Sequence, residues 1–184
     1  MSLAGWSYFE ENKGGYRLCL KQAGRLNHRK DRCSQMATIV VGVDGSVAAV
    51  RALDWAVEHA NNGDTIRLVN AWNLHAVGAF EAPYVPVTDF ETQANELVRK
   101  MSDGAAEKAA EAGKDIKLES SVNHGHPGQV LIDASNDADL LVVGSRGHGG
   151  FTGLLLGSVS TYVVHHTGSP VVVVPEGKGK KGSK

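Results

Sequence analysis

Two short stretches of the chain combine residue types that can do chemistry. One reads Gly144-Ser145-Arg146-Gly147-His148-Gly149-Gly150 and, after Phe151 to Leu156, resumes as Gly157-Ser158-Val159-Ser160. The other reads Gly42-Val43-Asp44-Gly45-Ser46. Glycine lets several backbone N–H groups converge on one point with no Cβ in the way, so the first stretch is a candidate anion cradle. A helix opening at Ser158 would add N–H groups without intrahelical partners and the positive end of a helix dipole. Phosphate suits such a place, because the hydroxyls of Ser158 and Ser160 can donate to its oxygens and Arg146 can add a charge that amides lack. The second stretch places the Asp44 carboxylate at the tip of a strand, directly before a helix. Each feature also has a purely structural reading: a glycine turn, an N-cap at Ser158, a solvated Arg146, a capping Asp44. Their common position at the tips of two strands favours the ligand reading.

Other nucleotide and metal motifs are missing from the sequence. There is no Gly-Lys-Ser/Thr of a P-loop, and the first strand of the alternating region is not followed by the dinucleotide glycine fingerprint. His124 and His126, and the adjacent His165 and His166, lack the further ligands a zinc site needs and are expected at turns or on the surface. Trp55 and Trp72 are expected in helix–sheet contacts rather than against a ligand.

These candidate groups need a scaffold, and the sequence supplies one by alternation. Short apolar, β-branched runs predict strands at Thr38 to Val43, Thr65 to Trp72, Ile116 to Asn123, Leu140 to Gly144 and Pro170 to Val174. Between them the period changes to that of helices. Ser46 to Ala60 places Val50, Leu53, Val57 and Ala60 on one face, with Ser46 as N-cap and Asn62-Gly63 as the stop. Thr88 to Ala112 opens on a Thr88/Glu91 capping box and carries a stripe of Phe90, Ala94, Leu97, Met101, Ala105 and Ala109. Shorter helices are predicted from Pro127 to Asn136 and from Ser158 to His166, the last closed by Gly168. The Asn73 to Val87 segment, with Pro83 and Pro86, reads as a surface excursion that can fold over the site. Strand–helix alternation predicts a parallel α/β sheet with helices on both faces. The near-continuous apolar runs of the first and fourth strands fit burial on both sides. In such a sheet ligands bind beyond the carboxyl ends of the strands, where the winding direction reverses.

Composition bounds the remaining possibilities. At 184 residues, with 42% hydrophobic and 21% charged residues, the chain suits one well-buried domain. A net charge of -1 hides an uneven distribution. Residues 1–35 carry seven Lys or Arg against three acids, and residues 177–184 carry four Lys and no acid, so the stretch between them is acidic. An acidic domain argues against nucleic acid as the main partner. Two cysteines, Cys19 and Cys33, are too few for a disulfide framework, and no apolar run approaches the roughly 18 residues of a membrane span. A cytoplasmic location is the expectation. Residues 1–35 show no sustained period and are expected to be a disordered extension; residues 36–176 form the domain, and residues 177–184 a Lys-rich disordered tail.

Several separated motifs now resemble one known family. Gly144, two residues, Gly147, nine residues and Gly157-Ser158 look like the glycine motif of the ATP-binding branch of the universal stress proteins. Ile39-Val-Val-Gly-Val-Asp44-Gly-Ser46, Leu68-Val-Asn-Ala71, Val122-Asn-His-Gly-His-Pro127 and Ser169-Pro-Val-Val-Val-Val-Pro175 are similar to that family as well, in its order. The resemblance covers about residues 36 to 176. It implies an open five-stranded parallel sheet of order 3-2-1-4-5 of the adenine-nucleotide alpha-hydrolase-like kind. It further implies that Gly42, Val43 and Asp44 line one side of a nucleotide, that Ala71 lies against the adenine, and that Val143, Gly144, Arg146, Gly147, Gly157, Ser158, Val159 and Ser160 wrap the ribose and phosphates. ATP is the implied ligand, with Mg2+ or Mn2+ held through its phosphates.

The edge run Val171 to Val174 is a flat, apolar strand that calls for cover, and pairing with a second copy supplies it. Members of the family resemble this in dimerising through that strand. Function is then expected to be that of a nucleotide-responsive dimeric regulator in stress response, acting on a downstream protein, with at most slow hydrolysis because no evident base activates a water. The competing expectation is an ATP hydrolase or nucleotidyl transferase on the same scaffold, with Asp44 steering metal or water and Arg146 or His148 stabilising charge. A third, a dimeric scaffold without nucleotide, is disfavoured by the intact glycine motif.

Overall fold

The computed structural model describes residues 36–73, 87–148 and 156–176, together with the backbone of two short strands, β1 (Trp6–Phe9) and β2 (Leu18–Lys21). The elements that follow are β3 (Thr38–Gly42), α1 (Val47–His59), β4 (Thr65–Trp72), α2 (Val87–Glu111), β5 (Lys117–His124), α3 (Pro127–Ser135), β6 (Leu140–Gly144), α4 (Ser158–His166) and β7 (Val171–Val174). Strands β3 to β7 form one sheet of order β5-β4-β3-β6-β7, parallel throughout. Numbered within that sheet, the order is the expected 3-2-1-4-5.

Alternation along each strand divides the core into two layers, since successive side chains leave a strand on opposite faces. Ile39, Val41, Ile66, Leu68, Val142, Val172 and Val174 meet α1 and α2 on one face. Val40, Val69, Leu141, Val143, Val171 and Val173 meet α3 and α4 on the other. Among the described residues, no helix is long and apolar enough to cross a membrane.

Helix α1 buries Leu53, Val57 and Ala60 of the expected face but not Val50. Ala48, Ala49, Ala52 and Ala56 are buried with Leu53, Trp55 and Val57, whereas Val50 is 40% exposed. Alanines let the helix approach β6 so closely that a Cβ on Gly144 would lie 2.7 Å from the carbonyl carbon of Ala48; the larger Val50 has no room on that side. Ser46 is the N-cap, its Oγ accepting from Ala49 N–H at 3.2 Å. The helix ends at Ala60 as expected, in extended backbone, and Lys114 Nζ donates to the carbonyls of Val57, Glu58 and Ala60. A cation on terminal carbonyls is the favourable pairing for a helix C-terminus.

Smaller details differ in the other helices. In α2, Val98 is 2% exposed and belongs to the core, although the expected stripe omitted it. Helix α2 begins one residue before Thr88, whose side chain lies outside the described residues, as do residues 74–86 and the end of the glycine loop, 149–155. Thr167 in extended backbone, rather than Gly168, closes α4. In the extension, β1 and β2 pair antiparallel where the sequence shows no period, and β2 passes close to β7.

Candidate functional site

Because β3 and β6 are neighbours with Ile39 opposite Leu140, their carboxyl ends stand side by side. Asp44 and the Gly144–Gly147 loop therefore emerge together. A cavity of about 930 Å³ opens at this end, and all twelve candidate residues line it: Gly42, Val43, Asp44, Ala71, Val143, Gly144, Arg146, Gly147, Gly157, Ser158, Val159 and Ser160. Residues not anticipated from the sequence line it as well, among them Pro127 and Leu131 of α3 and Tyr162 of α4.

At one pole the backbone dominates. The N-cap of α4 is Gly157, which offers no side chain, and the first intrahelical bond runs from Thr161 N–H to Gly157 O at 2.9 Å. The amides of Ser158, Val159 and Ser160 thus enter the cavity wall without a side-chain acceptor, as an anion site requires. The N-terminus of α1 differs: Ser46 caps it, and Asp44 Oδ1 accepts from Ser46 N–H at 2.9 Å. Of the helix starts that reach this cavity, α1 is closed by its caps and α3 brings Pro127, which has no N–H, to the wall, whereas α4 brings the amides of Ser158, Val159 and Ser160.

The Ser145 carbonyl pins this pole together. It accepts from Gly157 N–H at 2.7 Å and from Ser160 Oγ at 2.8 Å, while Ser145 N–H donates to Val174 O at 2.7 Å. The Ser160 hydroxyl, 3% exposed, spends its single proton inside the loop. Ser160 thus holds the loop, while Ser158, exposed, lines the cavity beside it.

Asp44 sits between the poles, exposed on the wall with Oδ2 against Gly147. Its carbonyl receives the Nε2–H of His148 at 2.9 Å; a carbonyl only accepts, so this contact places the proton on Nε2. His148 therefore bridges the two loops. Arg146 pairs with Glu176 at 3.2 Å instead of standing solvated.

Apolar side chains make the second pole. Val69, Ala71, Pro127 and Leu131 face the cavity, and Leu131 lies against Gly42, where a Cβ would come within 3.0 Å of its methyl. Asn70, 6% exposed, donates its Nδ2–H to Val43 O at 2.7 Å and holds the tip of β3 in place. A buried amide within the apolar β4 is the sequence signal that would have found it. Trp55 is 7% exposed in the core, and Trp72 contacts Phe90 and His124 outside the cavity wall, both as expected. His165 and His166 do reach the wall. Among the described residues, no three His, Cys, Asp or Glu side chains group as metal ligands.

Such a site accommodates an anion with a flat apolar portion and hydroxyl groups between: amides and Arg146 for the charge, Asp44 for the hydroxyls, and an aliphatic wall for the ring.

Comparison with known proteins gives a consistent result. The sequence profile described as the universal stress protein family matches residues 36–175. The universal stress protein Rv2624c of Mycobacterium tuberculosis (strain ATCC 25618 / H37Rv) is 34% identical over 140 residues, which are 76% of this chain and 48% of that protein. Universal stress protein Rv2005c of the same strain is 34% identical over 139 residues, 76% and 45% of the two chains. The chain thus spans about half the length of the curated relatives it matches. Among solved structures, a universal stress protein in complex with cAMP superposes with a TM-score of 0.52 at 26% identity, covering 75% of this chain and 96% of the other. An Arabidopsis thaliana universal stress protein family member with AMP bound gives 0.55 at 21%, covering 80% and 97%.

Proposed function

The chain belongs to the universal stress protein family, and from that premise we propose that its cavity binds an adenine nucleotide, ATP in particular, with the phosphates on the α4 N-terminus. One observation carries this reading: three first-turn amides of α4, uncapped by any side chain, share a cavity with the Asp44 carboxylate and the glycine loop. Amides and helix dipole stabilise phosphate oxygens, and Asp44, an acceptor, takes ribose hydroxyls. The wall at Ala71 and Leu131 receives the base. Relatives of the fold with cAMP and with AMP support the class of ligand.

A divalent cation, Mg2+ or Mn2+, would ride on the phosphates rather than on a protein cage. Its contribution when bound is to neutralise phosphate charge. The protein's own residues bind and orient: Ser145 and Ser160 fix the loop, Asn70 fixes the Asp44 strand tip, and His148 ties loop to loop. His148 commits Nε2–H to the Asp44 carbonyl, so that nitrogen is not a base for a water. Slow hydrolysis at most follows, and the protein acts by nucleotide occupancy, as a cytoplasmic regulator of a downstream protein. A homodimer through Val171 to Val174 fits this role, although β2 also passes close to that strand.

Isothermal calorimetry with ATP, ADP, AMP and cAMP tests the ligand. Binding of ATP that is lost in Gly147→Ala supports the reading, and absence of heat with every adenylate rejects it. Single-turnover hydrolysis of several per second that disappears in Asp44→Ala would replace it with an enzyme. Sedimentation velocity showing a stable monomer at micromolar concentration rejects the dimer.

A further inference from the structure

We propose that Glu176 is a built-in anion that occupies Arg146 and thereby sets how far the site prefers longer phosphate chains over a single phosphate. The proposal rests on the nucleotide reading of the cavity and concerns the regulation of that same site.

Backbone geometry delivers Glu176 to this place. Val174, the last residue of β7, accepts at its carbonyl from Ser145 N–H at 2.7 Å, so the chain leaves the sheet directly beside the glycine loop. Two residues later the Glu176 carbonyl accepts from Arg51 Nη1 at 3.0 Å, which fixes the main chain, and Glu176 Oε2 meets Arg146 Nη2 at 3.2 Å.

Arg146 is incompletely satisfied by this partner. Its Nε is buried and has no hydrogen-bond acceptor, although a guanidinium offers five N–H donors in a fork suited to phosphate. The pair is also accessible, with side chains 33% and 42% exposed, and exposed ion pairs are weak. A carboxylate bearing one charge holds Arg146 in a form that a more highly charged anion can displace.

Selectivity follows from the division of labour on the wall. The α4 amides serve one phosphate without help. Each further phosphate adds charge that amide dipoles do not neutralise, and among the described residues Arg146 is the only Lys or Arg lining the cavity. Polyphosphate chains must therefore recruit Arg146 from Glu176, whereas a monophosphate need not.

Calorimetry on the full chain tests this with three probes, ATP, AMP and inorganic tripolyphosphate, on the native protein, Glu176→Gln, Arg146→Gln and the double variant, each checked for a native melting temperature. Glu176→Gln is expected to tighten ATP and tripolyphosphate by about 1.4-fold to fivefold, the range released by breaking one exposed ion pair, and to leave AMP unchanged. Arg146→Gln is expected to weaken ATP and erase any further effect of Glu176→Gln. Equal tightening of AMP, no tightening of ATP and tripolyphosphate, or tightening that survives in the Arg146→Gln background overturns the proposal. Adenylate binding without a Glu176 effect sinks this proposal and leaves the nucleotide reading standing. A Glu176 effect on tripolyphosphate with no adenylate binding does the reverse, and silence toward every probe overturns both.

Discussion

The carboxylate of Asp44 and the α-carbon of Gly147 are in contact across two loops, so closely that a Cβ on residue 147 would overlap Asp44 Oδ2. Gly147 is not among the glycines with positive φ, which are Gly45, Gly63, Gly113 and Gly125 among the described residues. Space, not backbone conformation, demands glycine there. Gly147→Ala should destabilise the fold by about 1 kcal/mol, the low end for overpacking, because the obstructing atom is the end of a side chain that can swing aside at the expense of the Asp44 Oδ1 bond to Ser46 N–H. In an Asp44→Ala background the same change should cost less than about 0.5 kcal/mol, because the obstructing carboxylate is gone. Urea unfolding of the four proteins measures this cycle; equal costs in both backgrounds would show that some other contact excludes the side chain.

That contact was readable in outline from the sequence, because Asp44 and the glycine loop follow two strands that a doubly wound sheet sets side by side. The strands themselves were legible from unbroken apolar runs such as Leu140 to Val143, and Ser46 and Pro127 marked helix starts by chemistry confined to one turn. Pairings that depend on tertiary approach were not. Nothing local tells that Ser160 gives its proton to Ser145 O, or that Arg146 meets Glu176 from the far end of another strand. The Val50 error has the same origin. Helical period identifies a face, but the depth to which alanines sink toward Gly144 rotates that face, and the rotation is visible only once helix and sheet are together.

Ser160 gives a second test, one that separates positioning from ligand contact. Its hydroxyl is buried and donates to a carbonyl that Gly157 N–H also serves, so removing it leaves that acceptor still bonded. Ser160→Ala should therefore cost only about 1 kcal/mol, the net worth of one hydrogen bond. Since Ser145 O then holds α4 through Gly157 alone, ATP affinity is expected to fall in parallel with the loss of loop order. Ser158→Ala, at an exposed position, should lower affinity with no change in chemical unfolding. Unfolding curves and calorimetry on both variants decide; a larger stability loss in Ser158→Ala would reverse the assignments.

Acid stability should respond to one glutamate on β5. Lys117 Nζ at 2.8 Å and Arg67 Nε at 3.4 Å hold the Glu119 carboxyl below the usual glutamate value of 4.5, the Lys117 hydrogen bond being the larger cause. A carboxylate with a depressed folded value stabilises the protein above its unfolded value and loses that contribution as the pH falls through the folded one. Glu119→Gln should thus lower the urea midpoint at neutral pH and become indistinguishable from the native protein in acid. The gap should begin to close as the pH drops below 4.5. A gap independent of pH would assign the effect to packing. Because the pair is exposed, added salt should shrink it as well.

Gly144 presents the opposite case to Gly147, since its obstruction is main chain. A Cβ there would lie 2.7 Å from the carbonyl carbon and 2.9 Å from the carbonyl oxygen of Ala48, with the Ala48 Cβ at 2.8 Å. No side-chain truncation relieves the first two contacts, so the start of α1 would have to move off the sheet. Gly144→Ala is expected to cost about 3 kcal/mol, the upper end for overpacking, and Ala48→Gly in the same chain should recover only a minor part. Displacing α1 also displaces Ser46 and Asp44 at its start, so nucleotide affinity should fall even at temperatures where the variant is fully folded. Thermal unfolding of the single and double variants, with calorimetry well below the transition, tests both halves. Full recovery by Ala48→Gly would place the obstruction in the alanine methyl instead of the helix backbone.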